Sequence, residues 1–116
     1  EFSQVLINLI NNTIDAFCHN KLKNRLIYIE IDTSEQGDAI IKVCDNAGGI
    51  DEAILDKIFE PYFTTKHASA GTGLGLYMSK MIINNSMKGF IVAKNCNDGV
   101  CFTITIPQLK SEKEEQ

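Results

Sequence analysis

The chain has 116 residues, a formal net charge of -4 at pH 7 and a hydrophobic content of 44%. This length suits one domain with one core, and the composition is globular. The acidic balance argues against nucleic-acid binding, and no apolar run approaches the roughly 20 residues that span a membrane. No segment has the pattern of a signal peptide. A cytoplasmic domain without direct membrane contact is therefore expected, even if its parent protein is membrane-anchored.

The first predicted element is a helix over residues 2–19, in which apolar side chains recur at steps of three and four. Asn8, Asn12 and Asp15 step along an adjoining face. Asparagine is unfavourable inside a helix because its amide competes for backbone groups. These asparagines are therefore either satisfied by a nearby loop or placed to aim carbonyl oxygens at a hard cation such as Mg²⁺. Because the chain begins inside this amphipathic run, we expect it to be part of a longer protein.

Two alternating segments, Leu26–Asp32 and Ala39–Cys44, predict strands that pair as an antiparallel hairpin around a turn containing Gly37. The second strand runs directly into the sequence DNAGGI, which starts at Asp45. A carboxylate at a strand end, followed by small residues, can form a notch for a flat ring. Asp45 can accept a hydrogen bond there from an exocyclic amine such as that of adenine. The alternative is an ordinary turn.

A short helix is predicted next, with Asp51 as its N-cap and with Ile50 and Leu55 as a hydrophobic staple. It should end near Phe59, before Pro61.

The aromatic residues Phe59, Tyr62 and Phe63 are then expected to cluster at the base of a movable loop. Residues 66–70 are small or polar, which is typical of a mobile lid. Lys66 can reach a phosphate from there, although a lone exposed lysine usually binds nothing specific.

The stretch GTGLGL, Gly71–Leu76, puts glycines on alternate positions in front of an apolar-periodic run that predicts a helix from Leu74 to Asn84–Asn85. A glycine-rich loop entering a helix exposes backbone N–H groups that bind phosphate. Alone, this signal is weak.

Two further strands, Gly89–Lys94 and Val100–Ile106, are predicted around the turn Asn97-Asp98-Gly99. Residues 111–116 form a charged tail that we expect to be disordered.

The cysteines are Cys18, Cys44, Cys96 and Cys101, and none of them forms a Cys-x-x-Cys pair. This spacing argues against a zinc site. Four reduced, partly buried thiols are expected. Cys96 and Cys101 flank a predicted hairpin, and the sequence leaves open whether they are bonded.

Four segments, NLINNTIDA, DNAGGI, FEPYFTTK and GTGLGL, occur in that order along the chain. This set resembles the N box, first glycine box, F box and second glycine box of sensor histidine kinase catalytic domains, most of all those of the nitrogen-regulation type. That family belongs to an ATP-binding superfamily shared with Hsp90-type chaperones, type II topoisomerases and mismatch-repair ATPases. The resemblance implies an α+β fold over residues 1–110, N-terminally truncated. In this two-layer sandwich, a mixed, mainly antiparallel sheet carries helices on one face.

By position, the resemblance implies that ATP and Mg²⁺ bind, with Asn12 as the magnesium ligand and Asn8 acting at the phosphate end. Asp45 would bond the adenine amine and Gly49 would line the base pocket. The residues implied at the phosphates are Lys66, Gly71, Thr72, Gly73, Leu74 and Gly75. The implied reaction transfers the γ-phosphate to a histidine on the protein's own dimerisation domain, which this chain lacks. A bacterial response regulator is the implied downstream partner.

The sequence departs from the family pattern at a few positions. Ala47 stands where the strict glycine box has glycine, which costs little if its φ is negative. Asp15 and Ala16 stand where many relatives carry lysine and tyrosine. His19 and His67 lie outside any phosphoacceptor context, so we expect neither to accept phosphate.

An ATPase and a nucleotide-sensing domain are the two alternatives to the kinase. Chaperone-type and repair-type ATPases carry a glutamate as the general base for water four residues before the magnesium asparagine. The residue here is Asn8, which cannot take a proton, and this disfavours an ATPase. A degenerate nucleotide-sensing domain has only Ala47 in its favour.

Overall fold

The computed structural model describes residues 1–20, 23–63 and 74–108. Helix α1 leads into the hairpin of strands β1 and β2, and helix α2 leads into the hairpin of β3 and β4. The elements are α1 (Phe2–Asn20), β1 (Ile27–Thr33), β2 (Ala39–Asp45), a 3₁₀ turn (Glu52–Ile54), α2 (Gly75–Met81), a π-helical segment (Ile82–Ser86), β3 (Phe90–Cys96) and β4 (Gly99–Ile106). Within these ranges, none of the helices combines the length and apolarity that a bilayer crossing requires.

The four strands form one sheet in the order β1-β2-β4-β3, and each neighbouring pair is antiparallel. Both predicted hairpins are confirmed. The first turns at Gly37, whose φ of 91° favours glycine, and Ser34 Oγ accepts a hydrogen bond there from the Asp38 N–H at 3.0 Å. The central pairing of β2 with β4 joins the two hairpins into a single sheet.

The core lies between the helices and one face of the sheet. Directly paired residues of antiparallel strands project from the same face, and Val43 pairs with Phe102 there. The buried core cluster is Val5, Leu9, Ile41, Val43, Ile58, Ile83, Ile91, Val100, Phe102 and Ile104. Since α1, the π-helical segment and three strands all contribute, the predicted two-layer α+β architecture is confirmed.

The segment after β2 differs from the helix predicted there. Asp51 caps it as expected, since Asp51 Oδ1 accepts a hydrogen bond from the Ala53 N–H at 3.0 Å. The helical part is only the 3₁₀ turn, however, and the chain continues through turns to Tyr62. Isolated short helices are marginal, and packing of Leu55 and Ile58 onto the core fixes this segment instead.

The predicted helix from Leu74 to Asn84–Asn85 is confirmed in extent but not in winding. It is α-helical over Gly75–Met81 and then π-helical. The Met87 N–H donates to the Ile82 carbonyl at 3.3 Å, which is the wider spacing of a π turn.

Only two of the three aromatic residues expected to cluster do so. The Phe59 ring meets the Phe102 ring edge to face, with centroids 6.2 Å apart, and Phe63 packs against the core. Tyr62 is instead 74% exposed, and it has a φ of 65° in the turn after Pro61. The prediction was therefore wrong for Tyr62, because this left-handed turn directs the side chain to solvent.

The expectation of four reduced thiols is wrong for Cys44 and Cys101, which form a disulfide. They are direct partners across β2 and β4, with their Cα atoms 4.1 Å apart. The two cysteines are 57 positions apart in the sequence, and their pairing depends on the register of β2 and β4, so local patterns could not predict it. Cys18 and Cys96 are free.

Candidate functional site

Asp45 lies at the end of β2 and is 7% exposed. Its Oδ1 accepts hydrogen bonds from the backbone N–H groups of Ala47 at 3.0 Å and Val100 at 3.3 Å. Its Oδ2 accepts one from the Thr13 hydroxyl of α1 at 3.0 Å. The Thr13 bond joins the helix layer to the sheet at this point.

These bonds leave room for one more donor. A carboxylate offers about four acceptor positions, and three protein donors occupy Asp45. With two donors on Oδ1, the open position belongs to Oδ2, beside Thr13. A buried carboxylate with one open acceptor position suits an amine donor, such as the exocyclic amine of adenine, and disfavours a carbonyl.

The loop after Asp45 is held by its neighbours. Asn46 ties the start of β1 to the end of β2, since its Oδ1 accepts from the Leu26 N–H at 2.8 Å and its Nδ2 donates to the Asn24 carbonyl at 2.7 Å. The positive φ in this loop belongs to Gly48, at 90°, whereas Ala47 does not adopt one. Alanine at position 47 is therefore compatible with the loop.

Close backbone approach explains two glycines at the site. A Cβ on Gly49 would lie 2.8 Å from Asn95 Oδ1, and that oxygen already accepts a hydrogen bond from the Ile50 N–H at 2.7 Å. A Cβ on Gly99 would collide with the backbone oxygen of Asp45. These positions let β3 and β4 close against the loop.

Asn8 fixes the start of α2. Its Nδ2 donates to the Gly75 carbonyl at 3.2 Å and to Ser79 Oγ at 3.1 Å, and its Oδ1 accepts from Gln4 Nε2 at 3.0 Å. The Ser79 hydroxyl, fully buried, donates to the same Gly75 carbonyl at 3.0 Å. The amide of Asn8 is thus engaged by protein groups and ties α1 to Gly75 and Ser79 of α2.

Asn12 lies one turn further along α1 and is half-buried. Within the described part of the chain, no hydrogen bond engages its side chain. Its carbonyl oxygen is therefore available to a hard cation. No group of three His, Cys, Asp or Glu side chains among the described residues is arranged to hold a metal. A magnesium ion at Asn12 therefore fits only if phosphate oxygens complete its ligands.

The glycine loop is described from Leu74 onward. A Cβ on Gly75 would meet none of the described residues within 4 Å. The Leu74 carbonyl accepts from the Met78 N–H at 2.8 Å, in the first turn of α2. The predicted lid and four predicted site residues lie outside the described residues: Lys66, Gly71, Thr72 and Gly73.

Three residues at this site were not predicted from the sequence. Thr13 stood in the apolar stripe of the first predicted helix, Ser79 lay in the helix predicted from Leu74, and Asn95 directly followed the strand predicted to end at Lys94. Thr13 is a polar residue in an apolar stripe, and this exception to the pattern was the signal that could have indicated it.

Comparison with known proteins gives consistent matches. A family model described as histidine kinase-, DNA gyrase B-, and HSP90-like ATPase matches residues 1–110. The chain is 40% identical over 109 residues to the two-component sensor PprA of Pseudomonas aeruginosa, an alignment that covers 92% of this chain and 12% of that protein.

Solved structures of a histidine kinase, ThkA, have the same fold. Its catalytic domain is 36% identical with a TM-score of 0.75, over 91% of this chain and 65% of that one. ThkA in complex with the response regulator protein TrrA is 32% identical with a TM-score of 0.72, over 94% of this chain and 29% of that one. The matched family region includes Asp45 at the end of β2 and Asn8 and Asn12 of α1. The chain therefore belongs to the family of histidine kinase-, DNA gyrase B- and HSP90-like ATPases.

Proposed function

We propose that residues 1–110 are the ATP-binding catalytic domain of a two-component sensor histidine kinase, closest to the nitrogen-regulation type. The domain transfers the γ-phosphate of ATP to a histidine on the dimerisation domain of its own parent protein. The family match and the likeness to the two-component sensor PprA and to the ThkA catalytic domain support this proposal.

The observation that carries the proposal is the geometry of Asp45. The carboxylate is buried at a strand end, is oriented by Thr13, Ala47 and Val100, and keeps one acceptor position. The amine of adenine fills that position, and Gly49 lines the pocket that accommodates the ring. Base recognition therefore rests on this side chain.

The phosphates are held at the other end of the helix layer. Asn8 and Ser79 fix the carbonyl of Gly75, the last glycine of the loop. Lys66 neutralises phosphate charge. Asn12 supplies an oxygen ligand to Mg²⁺, which, when bound, screens the phosphates and orients the γ-phosphate.

The chain's own residues contribute positioning and electrostatics and not a nucleophile. An ATPase of the chaperone or repair type needs a base for water at position 8. The amide of Asn8 cannot serve as one, and it is already bonded to Gly75, Ser79 and Gln4. A degenerate nucleotide sensor is disfavoured because Ala47, the departure that suggested it, does not require a positive φ.

A response regulator is the downstream partner in this proposal. The solved complex of ThkA with TrrA supports the idea for a relative. The domain works in the cytoplasm, next to the parent protein's phosphoacceptor domain.

Transfer of label tests the function. The chain is incubated with γ-labelled ATP and Mg²⁺, with and without the separately produced dimerisation domain of its parent protein. Acid-labile label should appear on a histidine of that domain only when both proteins are present. A parallel reaction with that histidine replaced by alanine is the control. The proposal fails if binding of ATP is demonstrated but the added domain never acquires label.

A further inference from the structure

Three of the four cysteine sulfurs meet on the outer face of the sheet, opposite the face on which Asp45 bonds Thr13. Cys44 is bonded to Cys101, and the free Cys96 Sγ lies 2.9 Å from Cys101 Sγ. Residues of a strand alternate between faces, and Val43 and Phe102 point to the core, so their neighbours Cys44 and Cys101 occupy the outer face of the sheet. Cys96 is on the same face, because it follows Lys94, the partner of Cys101, by two residues.

Burial differs along this row. Cys44 is 2% exposed, whereas Cys96 and Cys101 are only half-buried. A small molecule can therefore reach Cys96 or Cys101 more readily than Cys44. Cys101 is the central sulfur, because it is within reach of both others.

We propose that Cys44, Cys96 and Cys101 form a thiol–disulfide exchange site that reacts with low-molecular-weight disulfides such as glutathione disulfide. Cys101 is the shared member of two alternative disulfides, one to Cys44 and one to Cys96. Cys96 is the entry thiol, which reacts first with the small disulfide. The disulfide finally rests between Cys101 and the buried Cys44.

Each step is an exchange in which a thiolate attacks a disulfide sulfur. The Cys96 thiolate attacks glutathione disulfide, so that a Cys96–glutathione bond forms and one glutathione leaves. The Cys101 thiolate then attacks Cys96 Sγ and displaces the second glutathione, each leaving thiolate taking up a proton that an attacking thiol gave up. Two protein thiols are thereby oxidised, and one disulfide is reduced to two glutathione thiols.

The last step moves the link inward without any oxidant. The Cys44 thiolate attacks Cys101 Sγ, the Cys44–Cys101 bond forms, and Cys96 leaves as a thiolate that takes up the proton from Cys44. The reverse exchange starts from Cys96, which already contacts Cys101 Sγ in the structure.

The Cys44–Cys101 disulfide lies next in sequence to Asp45. The effect on ATP binding that we expect from it rests on the proposed function. Cys44 immediately precedes Asp45, and Cys101 follows Val100, whose N–H donates to Asp45 Oδ1. The Cys44–Cys101 bond therefore joins β2 to β4 next to Asp45 and next to Val100, which donates to its carboxylate. A Cys96–Cys101 bond lies within the β3–β4 hairpin and leaves β2 unlinked. Reduction of the wild-type chain should weaken ATP binding by about fivefold, in the usual range of coupling between sites.

Peptide mapping tests the chemistry without nucleotide. The reduced chain is incubated with glutathione disulfide, trapped with an alkylating agent and digested. Wild type should yield a Cys44–Cys101 peptide, and Cys44→Ser should yield Cys96–Cys101. Cys101→Ser should retain glutathione on Cys96 with no internal disulfide. Cys96→Ser should form Cys44–Cys101 at least about tenfold more slowly, because the positioned entry thiol is lost.

Cys18→Ser is the matched control, since Cys18 is free and exposed on α1, and it should behave as wild type. The site is disproved if an internal disulfide persists in Cys101→Ser, or if the wild-type thiols stay reduced or carry only separate glutathiones. ATP affinity is then compared for oxidised and reduced wild type. Equal affinity would refute the coupling to Asp45, whereas failure to bind ATP in either state would count against the proposed function and leave the mapping result standing.

Discussion

After its bonds to Thr13, Ala47 and Val100, Asp45 has one acceptor position left at its Oδ2. In the proposed function the amine of adenine donates to that position, whereas guanine places a carbonyl oxygen at the same site on its ring. A buried polar group left without its partner costs about 1–3 kcal/mol or more. The chain should therefore prefer ATP over GTP by at least about tenfold.

Replacing the carboxylate by an amide tests this preference. Asp45→Asn keeps the side-chain shape but turns one oxygen into a donor, so ATP affinity should fall by about tenfold or more. Competition of ATP and GTP against a fluorescent ATP analogue gives the ratio. Asp98→Asn is the matched control, because Asp98 is exposed in the β3–β4 turn and makes the same change of charge. Equal competition by ATP and GTP in the wild type would remove Asp45 from the base pocket.

Asn12 carries the second prediction for a single side chain. Asn12→Ala removes one oxygen ligand and improves helix propensity, so the fold should be retained. Affinity for ATP in the presence of Mg²⁺ should fall by about tenfold, a typical effect of weakening a metal site. Titration with the fluorescent analogue, with and without Mg²⁺, separates the metal contribution from that of the base. Asn11→Ala serves as control because Asn11 is its exposed neighbour. An unchanged magnesium dependence would exclude Asn12 as a ligand.

Some residues of the candidate site could be predicted from the sequence and others could not. Asp45 and Asn12 were predicted because each lies in a short motif whose chemistry is local. Thr13 was not, because its bond to Asp45 spans 32 positions and depends on how α1 packs on the sheet. Asn8 was assigned to the phosphate end, but its contacts to Gly75 and Ser79 became visible only with α2 in place.

Among the secondary structure elements, β4 packs so closely on the end of β2 that position 99 has no room for a side chain. A Cβ on Gly99 would collide with the backbone oxygen of Asp45, which cannot move without disrupting β2. Overpacking of this kind typically costs about 1–3 kcal/mol. Gly99→Ala should therefore lower the free energy of unfolding by that amount.

Gly75→Ala provides the matched control for stability, since its Cβ, at the start of α2, would meet none of the described residues within 4 Å. Alanine also favours a helix over glycine by up to about 1 kcal/mol. Denaturant unfolding of the two variants should thus give changes of opposite sign. A Gly99→Ala variant as stable as wild type would mean that β4 does not pack closely on the backbone of Asp45.

The elements also mark where sequence patterns stop being informative. The hairpins around Gly37 and Asn97 were predictable because turn residues and alternation are local signals. The pairing of β2 with β4 was not, and the Cys44–Cys101 bond follows from it. The segment after Asp51 has the cap of a helix but only a 3₁₀ turn, because packing on the core outweighs propensity.

In the whole molecule, the proposed base and phosphate ends of the site belong to different layers. Asp45 is carried by the sheet and Asn8 and Asn12 by α1, and the Thr13–Asp45 bond joins one layer to the other. The bond from Asn8 to Gly75 in turn joins α1 to the start of α2. This arrangement suits a domain whose task is to present ATP in one fixed geometry.

The last prediction concerns what this chain does alone. Asn8 cannot take a proton from water, and the proposed function assigns the accepting histidine to another domain. Incubated with γ-labelled ATP and Mg²⁺, the chain should bind ATP, hydrolyse it very slowly and acquire no stable phosphate, as positioning without a nucleophile implies. Acid-labile label on His19 or His67 would show that the acceptor lies within this chain. Rapid turnover that Asn12→Ala abolishes would favour an ATPase over a kinase, because water would then be the acceptor.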